Sequence, residues 1–71
     1  MKRLSKRQLE VARLKAKGLT HQEIADELGM TVATVKTTAN NIYNKLDVRN
    51  VISLLNVLEA EYGGTVDRDG N

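Results

Sequence analysis

Only Gly29, Met30 and Thr31 separate two stretches that both carry a helical apolar pattern, and this spacing constrains the fold more than any other feature of the chain. A linker that short admits only a tight turn. Gly29 supplies a left-handed residue to stop one helix, and Thr31 a side-chain oxygen to cap the next. The same punctuation recurs upstream. Ser5 with Gln8, and Thr20 with Glu23, have the spacing of a capping box, in which two orphan backbone N–H groups are satisfied reciprocally. Gly18 ends the first helix near Lys17. Leu9 lies off the first helix's apolar stripe and pairs instead with Leu4 as a hydrophobic staple, a local role outside the core. A fourth helix starts near Arg49 or Asn50 and stops at Gly63-Gly64.

These signals predict four helices, at about 6–17, 21–28, 32–46 and 50–62. No segment alternates with period two long enough to make a strand, and no internal repeat is visible, so the fold class is all-α. Val11, Ala12 and Leu14, then Ile24, Ala25 and Leu28, then Val35, Ala39, Ile42 and Leu46 form the inward stripes. On the fourth helix Val51, Leu54, Leu55, Leu58 and Tyr62 close the core, leaving Ile52 and Val57 outside it. Residues 1–62 form one domain; residues 63–71 are polar and aperiodic and read as a disordered tail.

At 71 residues the chain has room for one small domain. It has no Cys, which excludes disulfides and thiolate zinc sites. Nowhere do about 20 apolar residues follow one another, and the basic N-terminus lacks a signal-peptide apolar run, so a soluble, cytoplasmic protein is expected, with no membrane partner. The net charge is only +2, but it is unevenly placed. Residues 1–49 carry ten basic and five acidic side chains, whereas residues 50–71 carry one basic and four acidic. A local cationic excess suits a polyanion. Catalysis is not expected. His21 is the only histidine, no convergent ligand cluster accompanies it, and Glu23, Asp26 and Glu27 have no nucleophile beside them. No metal or cofactor is implied.

The third helix carries the most information. Ala39, Ile42 and Leu46 fall within about 40° of Val35 on a helical wheel, which defines the core face. Ala33, Thr37, Asn40 and Asn44 gather opposite, flanked by Lys36 and Asn41. A face chosen only for solubility favours Glu, Lys, Gln and Arg, which lose little rotamer freedom in a helix. Asn and Thr are poorer helix formers, so another requirement selects them. Amides bond bidentately to adenine, a Thr methyl packs on the thymine methyl, and Lys donates to guanine. This is major-groove chemistry.

Residues 21–40 resemble the helix-turn-helix of bacterial regulators, with Ala25 in the small position of the first helix, Gly29 in the turn and Val35 buried in the second. The likeness extends further. Leu4, Ser5, Arg7, Val11, Leu14, Gly18, Leu19, Thr20, Glu23-Ile24-Ala25, Leu28, Thr34-Val35-Lys36, Asn41-Ile42-Tyr43, Lys45-Leu46 and Val48-Arg49-Asn50 stand where the LuxR/GerE-type domain places its characteristic residues. The chain is therefore similar to that family from residue 4 to about residue 60. The resemblance implies a four-helix helix-turn-helix domain in its stand-alone form, acting as a bacterial transcriptional regulator on double-stranded DNA and nucleoid-associated when bound. It implies that Lys36, Thr37 and Asn40 contact bases, and Asn44 on the same face joins them. Thr20, Thr31 and Thr34 lie where the DNA backbone is held, with Lys45 and Arg49 as further phosphate partners.

Two departures stand out. Thr31-Val32-Ala33 and Thr38 replace a common Ser-Glu-Lys and a His, which points to a changed sequence preference on intact docking. Asp47 replaces a frequent Gly where a left-handed residue ends the third helix, at a small loss of stability. In the resembled family the fourth helix is the usual dimer contact, and here Ile52, Leu55, Asn56 and Glu59 form its mixed apolar and polar flank. A homodimer on a pseudo-palindromic site is expected. The alternative is an adaptor or anti-activator that uses a helix-turn-helix surface to bind RNA polymerase or another regulator.

Overall fold

The structure is a computed structural model that describes Arg3 to Tyr62; the expected tail at 63–71 lies outside the described residues. Four helices follow one another: α1 (Lys6–Ala16), α2 (His21–Leu28), α3 (Val32–Leu46) and α4 (Val51–Glu61). Each starts on a capped residue. In both capping boxes the backbone N–H three residues on donates to the hydroxyl, at 3.1 Å to Ser5 and 3.1 Å to Thr20. The cap's own N–H donates back, to Gln8 Oε1 at 2.9 Å and to Glu23 Oε1 at 2.8 Å. Thr31 caps α3 through the Thr34 N–H at 3.1 Å. Asn50 does the same for α4, its Oδ1 accepting from the Ser53 N–H at 2.8 Å.

The first three helices stop by one device. Gly18 (φ 98°), Gly29 (φ 69°) and Asp47 (φ 57°) take the left-handed conformation. The next residue's N–H then folds back onto a carbonyl of the last turn: Leu19 to Leu14 at 3.2 Å, Met30 to Ala25 at 2.9 Å, Val48 to Tyr43 at 3.0 Å. This is the Schellman arrangement, which satisfies carbonyls that the helix end would leave orphaned. Each returning residue is apolar, and Leu19, Met30 and Val48 all pack on the core. Asp47 carries a Cβ into this region and a negative charge at a helix C-terminus, both unfavourable. Asp47→Gly is therefore expected to stabilise the domain by about 0.5–1 kcal/mol. A thermal melt should show the midpoint rising by roughly 2–8 °C; a fall would contradict the assigned turn.

The core is aliphatic. Val11, Ala12, Ile24, Ala25, Val35, Ala39, Ile42, Leu54 and Leu58 are buried, and no polar side chain is buried with them among the described residues. The helix α1 packs against α2, α3 and α4, while α2 lies along α3. Two inward assignments differ from the sequence reading. Val51 and Leu55 are only half-buried and lie outside the core cluster; Leu55 stands about 80° from the Leu54–Leu58 midline at 100° per residue, and Val51 is the first residue of α4. Leu9, expected outside the core, is half-buried and packs against it together with its staple partner Leu4. The chain before α1 is tied down at three points. The Leu4 N–H donates to the Tyr62 hydroxyl at 2.9 Å, the Arg3 guanidinium lies 5.5 Å from the Tyr62 ring centre, and Lys45 Nζ donates to the Arg3 carbonyl at 3.0 Å.

Candidate nucleic-acid interface

The tight turn at Gly29 sets α3 against α2 so that the α3 core stripe, Val35, Ala39 and Ile42, is buried. The opposite face must then point outward. Lys36, Thr37, Asn40, Asn41 and Asn44 are all exposed. Among the described residues, none of them spends its side chain on an internal hydrogen bond or ion pair. An exposed face of unsatisfied amides, a hydroxyl and an ammonium is a set of donors and acceptors without an internal partner. Its 15 residues make α3 about 22 Å long, and short side chains allow its backbone to approach a neighbouring surface. The first turn adds an apolar residue that sequence reasoning missed: Val32 is 38% exposed on the same helix.

Electrostatics favour an anion at the start of the same helix. The first turn of α3 holds no acidic residue, so the partial positive charge of its N-terminus is not cancelled. The Thr31 hydroxyl donates to the Thr34 hydroxyl at 2.8 Å. Thr34 thereby keeps its own proton free to donate outward. The Thr20 hydroxyl likewise accepts from the backbone and retains its proton, although the capping carboxylate of Glu23 offsets part of the charge at the start of α2. Thr20, Thr31 and Thr34 are exposed, and so is Arg49 in the linker before α4.

Lys45 is placed differently from the other expected cations. Lys45 is half-buried, and its ammonium donates to the Arg3 carbonyl and, at 3.1 Å, to Gln8 Oε1. Gln8 thus serves twice, as capping-box partner and as anchor for α3. One N–H of Lys45 remains for an outside acceptor.

At the start of α2, His21 sits half-buried between α1 and α3. Burial first, then the positive charges of Lys15 and Lys36, push its imidazole below the usual value of 6.5. Burial also pushes the Tyr43 phenol above 10.0, so it stays protonated as a donor at neutral pH. On α4, Ile52 is 73% exposed, Asn56 and Glu59 are exposed, and Leu55 is half-buried beside them. Among the described residues no group of three or more His, Cys, Asp or Glu converges to hold a metal ion. Among the described residues no helix is long and apolar enough to cross a membrane.

An α-helical domain in which a short capped helix turns tightly into a longer helix with a polar outward face defines a helix-turn-helix protein. Residues 2–58 match the family described as bacterial regulatory proteins, luxR family, and the chain belongs to that family. It is 53% identical over 45 residues to the transcriptional regulatory protein LiaR of Bacillus subtilis, covering 63% of this chain and 21% of LiaR. It is 45% identical over 47 residues to the response regulator protein VraR of Staphylococcus aureus and of Staphylococcus epidermidis, covering 66% of this chain and 22% of each relative. The chain spans about a fifth of the length of the curated relatives it matches. No solved structure matches it significantly.

Proposed function

We propose that the protein is a sequence-specific transcriptional regulator that lays α3 in the DNA major groove, with Lys36, Thr37, Asn40 and Asn44 against base edges. One observation carries this reading: the outward face of α3 presents uncommitted amide, hydroxyl and ammonium groups beside a helix N-terminus free of carboxylates. Amide and lysine side chains supply the pairings that distinguish bases in that groove. The exposed Val32 adds an apolar contact suited to a thymine methyl. Thr20, Thr31, Thr34 and Arg49 bind phosphate, and Lys45 contributes its remaining N–H. Phosphate contacts set the register, and base contacts set the sequence. The protein works in the bacterial cytoplasm.

The second element of the proposal is a homodimer through α4, with Ile52 and Leu55 as the apolar part of the contact and Asn56 and Glu59 as its polar margin. An aliphatic side chain as exposed as Ile52 is common on its own. Beside a half-buried Leu55 on one helix flank it forms a small apolar strip suited to a two-fold contact. Two copies would then read half-sites about 34 Å apart. Sedimentation at micromolar concentration is expected to show a dimer that Ile52→Glu converts to monomer. A strictly monomeric wild type that binds a palindrome one-to-one would contradict it.

Phosphate and base contacts separate in a salt titration. Arg49→Gln is expected to weaken binding to every sequence and to reduce the slope of log affinity against log salt by about 0.9. If substitutions at Arg49 and on the α3 face both leave DNA binding unchanged, the adaptor reading replaces this one, with the helix-turn-helix surface contacting RNA polymerase or another regulator.

A further inference from the structure

Three helices meet at a depression of about 190 Å³ that neither the base-reading face nor the α4 flank accounts for. It is lined by Lys15 from the last turn of α1, His21 from the first turn of α2, and Ala39, Asn40 and Tyr43 from the C-terminal half of α3. At about 30 Å³ per water, it has room for a tetrahedral oxyanion and several waters. Buried Ala39 contributes no polar atom to it. Every other lining side chain has a hydrogen to donate, and among the described residues no carboxylate lines it. Lys36 lies near enough to act on His21 from the adjacent turn of α3. On α2 itself the Glu23 carboxylate is turned to the Thr20 N–H.

We propose that this depression seats one backbone phosphate of the bound DNA on Lys15, His21 and Tyr43, and that filling it makes the His21 imidazole take up a proton from solvent. The inference rests on the DNA-binding reading and goes beyond it by adding three residues and a pH dependence. Asn40 links the two surfaces, since it stands on the base-reading face and also forms the rim of the depression.

The coupling follows from charge. Without DNA, His21 faces Lys15 from α1 and Lys36 from α3, with the neutral Tyr43 phenol beside them, so its ring loses its proton below 6.5. A phosphate between these groups reverses the local sign and favours the imidazolium, which donates from both ring nitrogens. The bound value therefore exceeds the free one. Affinity must rise as pH falls through the bound value and level off below the free value. Each unit of difference between the two is a tenfold change in affinity. The phosphodiester does not titrate in this range, and His21 is the only histidine of the chain.

The test combines binding and titration on the full chain. Fluorescence anisotropy with a duplex at fixed ionic strength is expected to show affinity rising about three- to tenfold from pH 7.5 to 5.5, with His21→Gln flattening that profile. Carbon-detected NMR of the single imidazole should place its midpoint below 6.5 in the free protein and higher with duplex. Lys15→Gln should raise the free midpoint by removing a cation. A His21 midpoint unmoved by bound duplex, or His21→Gln keeping the wild-type pH profile, overturns the subsite while leaving the DNA reading intact. A shift produced by sulfate but not by duplex overturns it as well, by assigning the depression to a free anion. A chain that binds no duplex at any pH overturns both.

Discussion

Ile42→Ala is expected to destabilise the domain by about 2–5 kcal/mol, the range for removing a buried Ile side chain beyond Cβ. Ile42 is 1% exposed and lies at the centre of the α3 inward stripe. The buried set around it is entirely aliphatic and includes three alanines, Ala12, Ala25 and Ala39. Alanines have no side-chain freedom with which to fill a new cavity. A domain of this size has a total stability of only about 4–11 kcal/mol, so the substitution removes a large share of it. Circular dichroism should show the melting midpoint falling by about 10 °C or more. Ile52→Ala, at a site 73% exposed, should change stability by less than about 0.5 kcal/mol. Equal melts for the two variants would contradict the placement of α3. Because α3 is held to the core by this stripe, Ile42→Ala should also lose DNA binding at temperatures where the wild type retains it.

Asn40→Ala and Thr37→Ala are expected to act on selectivity instead. Each lost base contact should reduce discrimination between the preferred duplex and a scrambled one by about 1–3 kcal/mol, roughly 5- to 150-fold. Affinity for the scrambled duplex should change much less, because most of that affinity comes from phosphates. Both side chains are exposed and neither supports the fold through an internal hydrogen bond among the described residues. Their melting midpoints should therefore stay near that of the wild type. Competition binding on the two duplexes reads the effect directly. A uniform loss on both duplexes would place these residues among the backbone contacts.

Helix boundaries were legible because the signals that set them are local. Ser5 with Gln8 and Thr20 with Glu23 close their boxes over three residues, and Gly18 and Gly29 need only a backbone free to turn left-handed. Asp47 could be flagged from the resemblance, and its φ of 57° shows the strained turn that a glycine would relieve. The exposed face of α3 followed from periodicity, since the stripe that buries Val35 and Ile42 fixes what points away. What escaped the sequence depends on contacts between distant residues. Lys45 reaches back to Arg3 and Gln8, and Tyr62 to Leu4, across separations of 37 to 58 residues that no periodicity records. The depression at His21 likewise needs three helices to assemble it. On α4, six aliphatics in eight residues blur the inward direction, so the pattern alone does not separate Leu55, on the Ile52 flank, from the inward pair Leu54 and Leu58.

In the proposed complex, reading and anchoring would draw on different parts of the molecule. Periodicity and burial turn the α3 amides outward, while the cations and hydroxyls that would hold the DNA backbone come from loops and helix ends on several elements. A selection from random duplex DNA with the purified chain, followed by sequencing, decides whether α3 reads base sequence. The expected result is enrichment of a pseudo-palindrome whose half-sites are centred about one helical turn apart, lost when Thr37 and Asn40 are both replaced by alanine. No enriched sequence from the wild-type protein under low-salt conditions would contradict it.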